Sequence, residues 1–76
     1  MIDKRSPVAA YEQLIAKIRA GVALLADDEP IPSLQEMTIE TGLSMGTVQK
    51  SVQVLKDEGV IYSVRGRGMF VAPRSG

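Results

Sequence analysis

The sequence predicts a mainly α fold closed by a small β-hairpin. Three observations carry that expectation. Apolar residues recur at helical spacing early in the chain, serines and a glycine stand where two further helices would be capped, and beyond Gly59 the apolar period shortens from about four to two.

Pro7 suits the first turn of a helix, and Tyr11, Leu14, Ile15, Ile18, Val22 and Leu25 follow at spacings of three and four. This amphipathic stripe predicts a helix over about residues 7–24 whose apolar face is core rather than an interaction surface. Its last turn is weakened by Gly21 and by Asp27-Asp28-Glu29, which put negative charge where the helix dipole disfavours it. Pro30 and Pro32 exclude a helix and leave a loop with room for a very short strand around Ile31. Without further oxygen ligands, the three carboxylates read as a solvated loop and not as a metal site.

Ser33-Leu34-Gln35-Glu36 has the form of a capping box, so a second helix starts at Ser33. Gly42 offers the left-handed stop that ends it. Ser44 then caps a third helix over about 44–58, with Val48, Ser51, Val52 and Leu55 inward and Asp57-Glu58-Gly59 at its end. Two helices separated by Gly42-Leu43 form a helix-turn-helix. Ile39 lies off the face set by Leu34, Met37 and Thr41, and its exposure is expected; with Leu24 it is a candidate contact for a second subunit or another protein.

Val60-Ile61-Tyr62-Ser63-Val64 and Met69-Phe70-Val71 flank Arg65-Gly66-Arg67-Gly68, which predicts a hairpin with two arginines at its tip. Three helices followed by a basic glycine hairpin form the pattern of a winged helix-turn-helix. The chain of 76 residues is expected to be one such domain over 1–76, with 72–76 as a tail or linker.

With neither cysteine nor histidine, the chain excludes a zinc finger, a disulfide framework, a thiol nucleophile and a histidine base, and no cofactor is expected. No apolar run approaches the roughly 20 residues of a membrane span, and Asp3-Lys4-Arg5 is unlike a signal sequence, so a cytoplasmic location is expected. The zero net charge is unlike the basic balance of a typical nucleic-acid binder, but its distribution is polarised. Residues 1–43 carry four basic and seven acidic side chains, and residues 44–76 five basic and two acidic, a swing from −3 to +3 that suits a one-faced DNA binder.

The motifs resemble those of the GntR-type regulators of bacteria, and the resemblance spans most of the chain. Tyr11-Glu12-Gln13 is similar to the opening of that family's first helix, and Ile31-Pro32-Ser33 to its Leu-Pro-Ser entry to the second. Gly42-Leu43-Ser44 is similar to its Gly-Val-Ser turn, and Thr47-Val48, Leu55 and Glu58-Gly59-Val60-Ile61 to its recognition helix and exit. Gly66-Arg67-Gly68-Met69-Phe70-Val71 resembles its wing, Gly-Arg-Gly-Thr-Phe-Val. The resemblance implies that the third helix enters the major groove and the wing, 65–68, the adjacent minor groove. Ser44, Thr47, Gly66, Arg67 and Gly68 match the family pattern position by position. The arginines usual at the positions of Gln35, Met45 and Gln49 are absent, which implies weaker affinity and a shallower salt dependence than in a typical relative. Gln49 suits adenine and Met45 a thymine methyl, which would shift the preferred site towards A·T pairs. The family continues into a C-terminal effector-binding domain, so no small-molecule effector is expected on this chain.

The candidate DNA-binding residues are therefore Ser33, Gln35, Ser44, Met45, Gly46, Thr47, Gln49, Lys50, Gln53, Arg65, Gly66, Arg67 and Gly68. Seven of them have a blander role beside this one: Ser33 and Ser44 as helix caps, Gln49, Lys50 and Gln53 as a solvated helix face, Arg65 and Arg67 as a soluble hairpin tip. The expected function is sequence-specific binding to double-stranded DNA in transcriptional control, as a repressor acting as two copies on a symmetric operator. The alternative is a winged-helix module that binds protein and not DNA, suggested by the zero net charge and the missing arginines. An enzyme ranks below both, because no cluster of acid, base and nucleophile is visible and so small a domain leaves little room for a pocket.

Overall fold

The computed structural model describes residues 7–73. Asp3-Lys4-Arg5 at the N-terminus and residues 74–76 of the expected tail lie outside the described residues. The element order is α1 (Pro7–Ala23), β1 (Pro30–Ile31), α2 (Leu34–Thr41), α3 (Met45–Asp57), β2 (Ile61–Val64) and β3 (Gly68–Val71). It is the winged helix-turn-helix that the helical stripe, the caps and the glycine hairpin predict.

The first helix buries Leu14, Ile18 and Val22, with Ile15 and Leu25 packed at the edge of the core. Ala10 is also buried, too small to stand out in the apolar stripe. The helix stops one residue before the expected end. Leu24 and Leu25 donate to the carbonyls of Gly21 and Val22, three residues back, tightening the last turn so that Leu25 swings inward and Leu24 out to solvent.

The second helix ends where Gly42 (φ 71°) donates its N–H to the Thr38 carbonyl at 2.8 Å, a left-handed cap that an L side chain adopts only with strain. Three residues on, α3 begins, its inward face made by Val48, Ser51, Val52 and Leu55 as expected. Ser51 is tolerated in the core because its hydroxyl donates to the Thr47 carbonyl at 2.9 Å and lies 3.3 Å from that of Tyr11. The exit of α3 is a Schellman turn: Gly59 donates to Lys56 O and Val60 to Leu55 O, both at 3.0 Å. That turn takes Val60 out of the expected strand and aims β2 back across the core.

The sheet is antiparallel in the order β1-β3-β2, with Ile61 opposite Val71, Val64 opposite Gly68, and Pro30 opposite Phe70. The short strand around Ile31 thus exists, and its partner is the far strand of the hairpin. Pro30 is compatible with this position because β1 is an edge strand. Ile61, Met69 and Val71 point into the core formed by Leu14, Val48, Val52 and Leu55, while the other face stacks Tyr62 on Phe70 with centroids 5.7 Å apart. The ladder runs into the expected tail, since Ala72 donates to the Val60 carbonyl at 3.0 Å.

Two expectations are corrected. The acidic loop is more than solvated: Asp28 takes a left-handed φ of 63°, donates its N–H to Val71 O at 2.8 Å, and accepts the Tyr62 hydroxyl at 2.7 Å. That bond to a carboxylate raises the Tyr62 pKa above its ordinary value. The core also leaves more room than its size suggests. A mostly apolar cavity of about 280 Å³ opens between α1, α2 and β1, lined by Ile18, Leu25, Ile31 and Met37, with Lys17 and Glu40 as the charged side chains in its wall. Within its lining the Thr41 hydroxyl donates to the Met37 carbonyl at 2.7 Å, and no group of three or more metal-ligating side chains occurs among the described residues.

Candidate nucleic-acid interface

Two capped helix starts and a hairpin tip carry the candidate residues. At the start of α3, Ser44 is extended (φ −67°, ψ 155°); its Oγ accepts the Thr47 N–H at 3.2 Å while its hydroxyl donates to Thr47 Oγ1 at 3.0 Å. Both side chains therefore stabilise the first turn that holds Met45 and Gly46 in solvent. With Val48, Ser51, Val52 and Leu55 buried, Met45, Gly46, Gln49, Lys50 and Gln53 are all left outward and exposed, as the helical period requires.

These outward residues differ in how they are held. Lys50 places its ammonium 4.8 Å from the centre of the Tyr11 ring, a cation–π contact that leans it towards α1. Gln53 donates to Asp57 Oδ1 at 2.9 Å, one turn along the helix. Gln49 makes no side-chain hydrogen bond among the described residues, so its carboxamide is free to meet an external partner.

At the start of α2 the capping box is complete. Ser33 Oγ accepts from the Glu36 N–H at 3.1 Å, and Glu36 Oε1 accepts from the Ser33 N–H at 3.0 Å. The backbone bond, reinforced by the hydroxyl, holds the Glu36 carboxyl below its ordinary pKa. Gln35 lies beside this cap and is exposed.

The wing turns through a bond from the Arg67 N–H to Val64 O at 2.9 Å. Gly66 lies between the two arginines at φ 79°, the left-handed conformation that this turn needs and that glycine adopts without strain. Gly68 follows at φ 110° and opens β3. Arg65 and Arg67 are exposed and form no ion pair among the described residues. Two guanidinium groups are thereby presented on a backbone with little side-chain bulk.

The structure brings part of the expected set into one open groove between the start of α2, one side of α3 and the wing. Ser33, Gln35, Met45, Arg65, Gly66 and Gly68 line it. Ser44, Gly46, Thr47, Gln49, Lys50, Gln53 and Arg67 lie outside that lining. Lys56 also lines the groove and was not among the expected residues. The signal was present: Met45 and Lys56 are separated by eleven residues, about three helical turns, which places them along one side of a helix.

Of the two acids that follow Lys56, Asp57 accepts from Gln53 and Glu58 is held by α1. Glu58 pairs with Arg19 of α1 at 2.7 Å, and this hydrogen bond lowers the Glu58 pKa and raises that of Arg19. Lys56 remains the basic residue of the last turn of α3, where the helix dipole favours a cation. The arrangement is an exposed polar helix face beside a cationic groove and hairpin, suited to an extended polyanion with readable edges.

The chain is similar in sequence and in fold to known proteins. The HTH-type transcriptional repressor NagR of Bacillus subtilis (strain 168) is 34% identical over 73 residues, covering 93% of this chain and 30% of NagR. The HTH-type transcriptional repressor YtrA of the same organism is 30% identical over 73 residues, covering 93% of this chain and 56% of YtrA. The chain thus spans less than two thirds of the length of either relative. Among solved structures, a transcriptional antiterminator from Listeria monocytogenes EGD-e superposes with a TM-score of 0.83 at 34% identity, over 99% of this chain and 57% of that one. The AraR DNA-binding domain, solved in complex with operator ORR3, gives a TM-score of 0.78 at 33% identity over 82% of this chain and 77% of that one. The family model for bacterial regulatory proteins of the gntR family matches residues 8–71, and the chain belongs to that family.

Proposed function

We propose that the chain binds double-stranded DNA sequence-specifically and acts as the DNA-reading part of a transcriptional repressor. The observation that carries this is the pairing of an exposed α3 face, led by the unengaged Gln49, with a neighbouring groove that Met45 of the same helix and the arginine-glycine wing line. Membership of the gntR family supports it, as do the operator complex of AraR and the repressor relatives NagR and YtrA. Residues 44–58 sit in the major groove and 65–68 in the adjacent minor groove, and residues 1–76 act as one DNA-binding unit.

In this reading Met45, Gln49 and Gln53 face base edges, while Gln35, Lys50, Arg65 and Arg67 meet phosphates or the minor groove. Ser33, Ser44 and Thr47 hold the helix starts whose amides can approach phosphates, and Gly46, Gly66 and Gly68 give close access to the backbone. Two copies occupy a symmetric operator, with no small-molecule effector bound by this segment and no enzymatic step. The site of action is the cytoplasm; among the described residues no helix is long and apolar enough to cross a membrane.

Selection from a pool of randomised duplexes tests this proposal. An enriched, two-fold symmetric site is expected, and Gln49→Ala should relax its preference at one A·T position per half-site by about 1–3 kcal/mol. A pool that stays random at low salt counts against the function, and unchanged base preferences in Gln49→Ala count against the role of that residue.

A further inference from the structure

We propose that the groove between α3 and the wing seats the sugar–phosphate strand of bound DNA, and that Lys56 is a phosphate contact at that seat. The inference rests on the DNA-binding reading above and adds a residue which that reading does not include. If α3 occupies the major groove and the wing the neighbouring minor groove, the strand dividing the two must pass through the space between them. That space is the groove lined by Gln35 and Met45 on the helical side and by Ser63, Val64 and Arg65 on the wing side.

Its only charged lining residues are Lys56 and Arg65, both cationic. Lys56 is half-buried, which suits a side chain whose stem lies along the groove while its ammonium reaches solvent. It forms no ion pair among the described residues; of the acids that follow it, Asp57 accepts from Gln53 at 2.9 Å and Glu58 is held by Arg19, and neither lines the groove. The groove is therefore positive with no acidic residue lining it to offset the charge. Gln35 and Met45 are neutral, so Lys56 supplies charge that the helical side of the groove otherwise lacks.

The test is the salt dependence of binding of the 76-residue chain to a random-sequence duplex of about 20 base pairs, followed by fluorescence anisotropy. Lys56→Gln should flatten the slope of log K against log salt by about 0.9, which amounts to roughly eightfold weaker binding at 0.1 M relative to 1 M, and the loss should be the same for every duplex sequence. Lys56→Arg should retain the wild-type slope, and Lys17→Gln, outside the groove, should leave it unchanged. Thermal unfolding of each variant confirms that the fold is retained. A Lys56→Gln slope equal to that of Lys17→Gln overturns the assignment of Lys56 while leaving DNA binding intact. A wild-type chain with no salt-dependent binding overturns both.

Discussion

Replacing both wing arginines, in the double variant Arg65→Gln/Arg67→Gln, is expected to flatten the salt dependence of duplex binding by about 1.8, twice the value of one lost phosphate contact. At 0.1 M salt this corresponds to roughly 60-fold weaker binding relative to a 1 M reference. The effect should appear without loss of fold, because both side chains are exposed and make no ion pair among the described residues. The turn itself is held by the Arg67 backbone N–H and by Gly66, neither of which the substitutions touch. Anisotropy titrations at several salt concentrations measure the slope, and circular dichroism checks the fold. A double variant with the wild-type slope would mean that the wing tip only solubilises the hairpin.

The second large effect concerns the core beneath the interface. Leu55 is fully buried against Leu14, Val48 and Ile61, and its carbonyl accepts the Val60 N–H that closes the exit of α3. Leu55→Ala should cost about 2–5 kcal/mol, the lost burial plus the cavity left behind. A domain of this size has a total stability on the order of 5 kcal/mol, so the variant should be largely unfolded at room temperature or melt far below the wild type. Ile39→Ala is the matched control: 76% exposed on α2, it should change stability by no more than about 0.5 kcal/mol. Urea unfolding followed by helical circular dichroism separates the two. Equal midpoints for both variants would contradict the placement of α3 on the core.

What the sequence made legible was local chemistry. Ser33 with Glu36, Ser44 with Thr47, and Gly42 act within one turn of their partners, so their spacing alone predicts the bonds that the structure contains. The inward face of α3 follows from the helical period in the same way, as does the exposure of Ile39. The arginine-glycine tip was legible because the change of period at Gly59 isolates it between two short apolar runs.

What escaped was contact between distant parts of the chain. The pairing of Pro30 with Phe70 and the bond from Tyr62 to Asp28 span 40 and 34 residues, and no periodicity encodes them. The cavity between α1 and α2 arises from the way two helices and a two-residue strand meet, which no single segment specifies. Lys56 was missed for a related reason. At the far end of α3 it resembles an ordinary solvated lysine until the wing folds back and turns that part of the helix into the wall of a groove.

The central claim, that the face of α3 and the wing together engage duplex DNA, is tested most directly by chemical-shift perturbation. Random-sequence duplex is titrated into labelled protein at low and then moderate salt. The expected result is a set of shifts clustered on residues 44–53 and 65–68 that fades as the salt rises. Silence in those two segments, in a chain whose spectrum remains that of a folded protein, would contradict the claim and return the protein-binding alternative to first place.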